Sequence, residues 1–177
     1  TEALIERGAD LGGSFYLPPG GFNPAEVAAM LKRGEINAIS TVPSLWRVLL
    51  QNSDLIGKHG RQVRWIEVGS QYMSRAEKEA LRDLFPQARI ITMYGLTEAS
   101  RVTFLDVHRE QGEVLESVGK TTGDMQVRIL PNARVAIRGP SVASAYLIGG
   151  QEQPLTDEDG WYVTNDYGSI RDGFLYY

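Results

Sequence analysis

Three separated stretches of the chain carry residue types that can do chemistry. One is Tyr94-Gly95-Leu96-Thr97-Glu98, a second is Val68-Gly69-Ser70-Gln71, and a third runs from Asp159 to Gly168 and contains Thr164, Asn165 and Asp166. Tyr94 offers a flat face on which a base can stack. Thr97 supplies a hydroxyl, and Glu98 a hard carboxylate oxygen of the kind Mg²⁺ takes beside substrate phosphates. Gly69 and Gly95 let the backbone come close to a ligand or take a positive φ. Asp166 can accept two hydrogen bonds from the vicinal hydroxyls of a sugar, as an acidic residue does in dinucleotide folds. Two of these stretches also have a plain structural reading. Tyr-Gly-x-Thr-Glu can be a strand-to-loop turn with a capped end, and Asp166 a hairpin aspartate bonded to its own backbone.

The elements that must position these residues alternate in the first part of the chain. Asn23-Pro24-Ala25-Glu26 is a helix start, with Asn as cap, Pro at the first helical position and Glu26 reaching back. Phe22 and Val27 are placed to form a hydrophobic staple, and Gly34 suits the left-handed turn that ends the helix. Ile36 to Val42 reads as a buried strand, and Pro43 to Leu50 resumes a helical period. Arg64 to Val68 is a second strand, and Ser74-Arg75-Ala76-Glu77 is a second capping box whose helix stops at Pro86. Ala88 to Met93 is a third strand. Strand, helix, strand, helix, strand implies a parallel sheet with helical crossovers, and ligands bind beyond the carboxyl ends of such strands. The loops at 68–71 and 93–98 lie at two of those ends. From residue 112 onward only strand signals remain, at 125–130, 133–137, 161–164 and 169–177, the last broken by the hairpin cue Asp172-Gly173.

Composition narrows the function classes. The chain has 177 residues, 18 Lys plus Arg against 22 Asp plus Glu, and a net charge of −4, which speaks against a nucleic-acid footprint. Its lack of cysteine excludes a disulfide scaffold, a thiolate zinc site and a cysteine nucleophile. No apolar run approaches the roughly 18 residues of a membrane span, and Thr1-Glu2-Ala3-Leu4 is no signal peptide, so a cytoplasmic location is expected. His59 and His108 lack ligand spacing.

Together, Tyr94-Gly95-Leu96-Thr97-Glu98, Gly160-Trp161-x-x-Thr164-x-Asp166-x-Gly168 and Asp172-Gly173 resemble the adenylate-forming superfamily. That superfamily includes acyl- and aryl-CoA ligases, nonribosomal peptide synthetase adenylation domains and firefly-type luciferases. Further segments fit in order: Thr41 to Leu45, Arg64 to Ser74, Val118-Gly119-Lys120, and Ala136 to Pro140. The resemblance implies an α/β fold, the second α/β subdomain of an adenylate-forming N-terminal domain over residues 1–111. Part of a small distorted β-barrel is expected over residues 112–177.

It also implies residue roles. Tyr94 stacks on adenine, the loop Gly69-Ser70-Gln71 with Gly95 and Leu96 frames the nucleotide, and Thr97 contacts the α-phosphate. Glu98 holds Mg²⁺, Asp166 binds the ribose hydroxyls, and Trp46, Val68 and Gly95 lie near the acyl group, although Trp46 also suits the core. The implied reaction joins a small carboxylic acid to AMP from ATP. Coenzyme A, or the phosphopantetheine arm of an acyl or peptidyl carrier protein, then takes the acyl group. No protein nucleophile is needed.

The sequence departs from the family pattern in places. Asn165 stands where Gly is usual, a residue tolerant of positive φ that can still aim Asp166. Gln71-Tyr72 replaces Glu-Pro. The phosphate loop with its Lys and the C-terminal adenylation lysine are not in this stretch, and the pairs Gly12-Gly13 and Gly20-Gly21 lack the accompanying Ser/Thr and Lys. The chain is therefore expected to be the central part of a ligase and inactive alone. The alternative is a non-catalytic interaction module that keeps the fold. A dinucleotide oxidoreductase is disfavoured, because no Gly-x-Gly-x-x-Gly follows a strand.

Overall fold

The computed structural model describes residues 13–14, 16 and 21–177. Thr1 to Leu4, Gly12 and Gly20 lie outside the described residues. Helix α1 (Pro24–Arg33) begins where the Asn23 side chain accepts from the Ala25 N–H at 3.0 Å. It ends at Gly34, whose φ of 73° lets the N–H groups of residues 34 and 35 return to Leu31 and Met30, each at 3.0 Å. Glu26 does not reach back as the sequence suggested. Its carboxylate takes the Tyr16 hydroxyl instead, while Asn23 serves the first turn unaided.

Strand β1 (Ala38–Thr41) leads into α2 (Pro43–Gln51), the short α3 (Ser53–Ile56) and a 3₁₀ turn over Gly57–Gln62. Strand β2 (Trp65–Val68), helix α4 (Arg75–Leu84) and strand β3 (Arg89–Tyr94) follow. The reciprocal capping box at the start of α4 is present: Ser74 N–H donates to Glu77 at 2.7 Å, and Glu77 N–H to Ser74 Oγ at 3.3 Å. Strands β1, β2 and β3 pair in parallel, as the alternation requires.

Two strands that the sequence reading lacked extend this sheet antiparallel, β4 (Thr103–Asp106) and β5 (Lys120–Thr121), giving the order β1-β2-β3-β4-β5. The sheet thus continues past residue 112. Strand β1 is shorter than expected and not buried. It forms the edge of the sheet and alternates exposed with half-buried residues, while Ile36 and Ile39 pack on the core beneath. That core lies between sheet and helices and centres on Leu31, Trp46, Leu49, Ile66, Leu81 and Phe85.

The remaining strands are antiparallel. β6 (Gln126–Ile129), β7 (Arg134–Arg138) and β10 (Tyr162–Tyr167) form one sheet. β8 (Ala145–Ile148) with β9 (Gln151–Pro154), and β11 (Ser169–Arg171) with β12 (Phe174–Tyr176), are two hairpins. The turn at Asp172-Gly173 has φ of 52° and 80°, the pair of positive values a two-residue hairpin needs. Hydrogen bonds among the described residues leave these as separate sheets rather than a closed barrel. A second apolar cluster, including Tyr94, Val102, Met125, Ile137 and Leu175, joins the β6-β7-β10 sheet and the β11–β12 hairpin to the first sheet.

Candidate functional site

Tyr94 ends β3 and is only 4% exposed, yet its polar end finds a partner across the molecule. Its hydroxyl donates to Asp166 Oδ2 at 2.6 Å, over a sequence separation of 72 residues. Burial, then the bond to Asp166, pushes the phenol well above its usual range, so Tyr94 stays a proton donor. Asp166 is aimed by β10. Buried Thr164 donates its hydroxyl to Val135 O at 2.9 Å and accepts the Asp166 N–H at 3.1 Å. The register of β10 against β7 slips between Val163 and Tyr167, a bulge that turns Asp166 toward Tyr94.

Around this pair lies a cavity of about 110 Å³, lined by Ser70 after β2, by Met93, Tyr94, Gly95 and Leu96 at the end of β3, and by Asp166 and Tyr177 opposite. Of the residues singled out in the sequence, the structure therefore gathers Ser70, Tyr94, Gly95, Leu96 and Asp166. A larger cavity of about 400 Å³, between Thr103, Met125, Trp161 and Leu175, is lined by no ionisable side chain. The chemistry points to the smaller one.

Other expectations need correction. Trp46 and Val68 do not line the cavity. They are 0% and 1% exposed and belong to the first core, where Trp46 meets Phe85 edge-on at 5.7 Å. The left-handed residue of the β2 loop is Ser70, at φ 74°, rather than Gly69. A Cβ at Gly69 would stand 3.1 Å from Met93 Cγ, a tight contact that the flexible Met93 side chain would have to yield to. Gly95 is likewise packed against its own loop, with a Cβ position 2.7 Å from Arg101 N. Asn165 has no positive φ. It lies in the extended bulge of β10, and its side chain accepts from Arg134 at 3.2 Å. Gln71 is exposed, and beside it Tyr72 gives its hydroxyl to Glu116.

Thr97 is exposed on the loop after β3, outside the cavity wall. Glu98 is half-buried and accepts the Tyr146 hydroxyl at 2.6 Å, which holds its carboxyl below the usual carboxylate range. Arg101, at φ 54°, closes the loop by donating to buried Glu67 at 3.2 Å.

Sequence reasoning missed Tyr177 and Tyr146. Tyr177 lies at the end of the 169–177 strand signal, and its ring is 5.1 Å from that of Tyr94 with a 49° tilt. The Gly149-Gly150 dipeptide, both residues at positive φ in the structure, is a sequence signal for the β8–β9 hairpin but not for the contact of Tyr146 with distant Glu98.

A five-stranded sheet, parallel over β1–β3 and antiparallel over β3–β5, with a carboxylate and an aromatic hydroxyl gathered beyond the end of β3, defines an α/β domain with a cleft where such sheets hold ligands. The family model for AMP-binding enzymes matches residues 9–147, and the chain belongs to that family. It is 27% identical over 157 residues to the 2-succinylbenzoate–CoA ligase of Listeria monocytogenes serotype 4b (strain F2365), a match covering 88% of this chain and 32% of the ligase.

Among solved structures, wild-type E. coli MenE with a bound analogue of OSB-AMS is 28% identical, with a TM-score of 0.68 over 88% of this chain and 31% of that one. O-succinylbenzoate CoA synthetase from Bacillus subtilis, solved with AMP, superposes with a TM-score of 0.78 at 23% identity, over 99% of this chain and 37% of that one. The same enzyme with ATP and magnesium ion gives 0.69 at 23% identity, over 88% and 34%. At that identity the likeness speaks for the fold. The chain spans about a third of the length of these relatives.

Proposed function

We propose that the protein carrying this chain is an ATP-dependent, carboxylate-adenylating ligase. An oxygen of a small carboxylic acid attacks the α-phosphorus of ATP and pyrophosphate leaves. A thiol, of coenzyme A or of a carrier's phosphopantetheine arm, then attacks the acyl carbon and AMP leaves. The convergence of Ser70, Tyr94 and Asp166 on one cavity supports this reading above all.

The residues suit the groups involved. Asp166 Oδ2 is held by Tyr94, which leaves the other oxygen for ribose hydroxyls. Ser70 and Gln71, with Gly95 and Leu96, frame the base beside Tyr94, and Thr97 is free to meet the α-phosphate. No cluster of three acidic or histidine side chains among the described residues could cage a metal. A lone Glu98 fits Mg²⁺ all the same, because that ion takes one or two carboxylates and completes its shell with phosphates and water. When bound, the ion neutralises phosphate charge during the displacement. The chain's own part is to orient the nucleotide through Asp166 and Tyr94 and to hold Glu98 ready.

The division at residue 112, the barrel character of the strands beyond it, a carrier-protein partner and a cytoplasmic location belong to the same proposal. No helix among the described residues is long and apolar enough to cross a membrane. Pyrophosphate exchange by the full-length protein against a panel of fatty, aromatic and amino acids tests the reading. Exchange that depends on one class of acid, and collapses in Glu98→Ala, is expected. Absence of both exchange and ATP binding would leave a non-catalytic module.

A further inference from the structure

Glu98 is held through its backbone as well as its side chain, and by one segment. Ser141 Oγ donates to Ser100 O at 2.6 Å, Val142 bridges antiparallel to Ala99, and Ala143 N–H donates to Glu98 O at 2.8 Å. Residues 141–143 therefore run against 98–100 in register, like one rung of an added strand. The segment continues into β8, which brings the Tyr146 hydroxyl to Glu98 Oε1 at 2.6 Å. At the far end of the same loop Arg101 is tied to Glu67, so the loop is fixed at both ends.

We propose that Tyr146 is a positioning residue for the cation-binding carboxylate. Its hydroxyl fixes the orientation of Glu98 so that the second oxygen faces the phosphates and their metal ion. This rests on the reading of Glu98 as the Mg²⁺ carboxylate. A glutamate has three rotatable bonds, and ordering them opposes binding. A donor that orders the carboxylate beforehand strengthens its hold on the ion, as outer-shell partners of metal ligands do. Tyr146 can do this because the 141–143 pairing, not its own burial, sets its place. The residue is 43% exposed, and the β8–β9 ladder, in which it faces Gln153, holds its backbone in that place.

The test is the affinity of the full-length protein for ATP by calorimetry, measured with Mg²⁺ and again with EDTA. The ratio of the two affinities isolates what the ion adds. Tyr146→Phe, which removes only the hydroxyl, is expected to lower that ratio roughly tenfold. Its affinity for ATP in EDTA and its thermal midpoint are expected to stay at the wild-type values. A ratio that is unchanged or raised in Tyr146→Phe overturns the proposal. So does an equal loss in both affinities, the mark of a merely structural role. Glu98→Gln keeps the two readings apart. If it leaves the ratio unchanged, the role of Glu98 fails; if it lowers the ratio while Tyr146→Phe does not, only the role of Tyr146 fails.

Discussion

Asp166 and Tyr94 are each other's partner, and that makes their variants asymmetric. Asp166→Ala strands a buried phenol and removes the proposed ribose acceptor. The full-length variant is expected to bind ATP more weakly by about 2–3 kcal/mol, because hydrogen bonds to a charged group are worth about that much. Calorimetry reads the loss, and wild-type affinity in this variant would exclude Asp166 from the nucleotide site. Gly95→Ala tests packing rather than chemistry. Its Cβ would meet backbone 2.7 Å away, so a loss of about 1–3 kcal/mol in urea unfolding is expected. Residue types were legible in the sequence at this scale, but their reasons were not. Gly69 and Gly95 were readable as conformationally free, whereas Gly95 is there for space and the positive φ fell to Ser70. A backbone dihedral follows from contacts that a single sequence does not display.

Elements whose ends are set by local chemistry matched their sequence signals. Asn23, Gly34, the Ser74 box and Asp172-Gly173 each act on residues within a few positions of themselves. Ser74→Ala is accordingly expected to cost about 1 kcal/mol, read from the unfolding midpoint. Lys78 illustrates what stayed hidden. An exposed-looking residue on α4, it is 1% exposed and donates to Leu115 O at 2.6 Å and Ser117 O at 2.9 Å, capping the 3₁₀ turn at Gly112–Glu116. Burial pushes its ammonium down to about 8 from 10.5. Between those values the unfolded chain binds the proton and the folded chain does not, so stability from this group rises as pH climbs through that window. Relative to Lys78→Met, the wild type is expected to gain about 2 kcal/mol in unfolding free energy from pH 7.5 to 9.5. A flat difference would mean that the two carbonyls keep the ammonium charged.

Across the whole molecule, the parallel half of the sheet was legible because β1, β2 and β3 alternate with helices. The antiparallel β4 and β5 were not, since a four-residue and a two-residue strand carry little periodicity. Tyr177 and Tyr146 escaped for a related reason: each meets a partner far away in sequence, Glu98 lying 48 residues from Tyr146. Exposed apolar residues concentrate on the β8–β9 hairpin, with Leu147 at 74% and Ile148 at 54%. The isolated 177-residue chain is expected to self-associate through such surface. Sedimentation should record that association, and Leu147→Lys with Ile148→Glu should reduce it. The nucleotide site itself is tested most directly by photolabelling the full-length protein with 8-azido-ATP and mapping the attachment by mass spectrometry. Label on the peptides carrying Ser70 and Tyr94, displaced by ATP, is the expected result. Displaceable label confined to peptides remote from the Tyr94–Asp166 cavity would contradict the account.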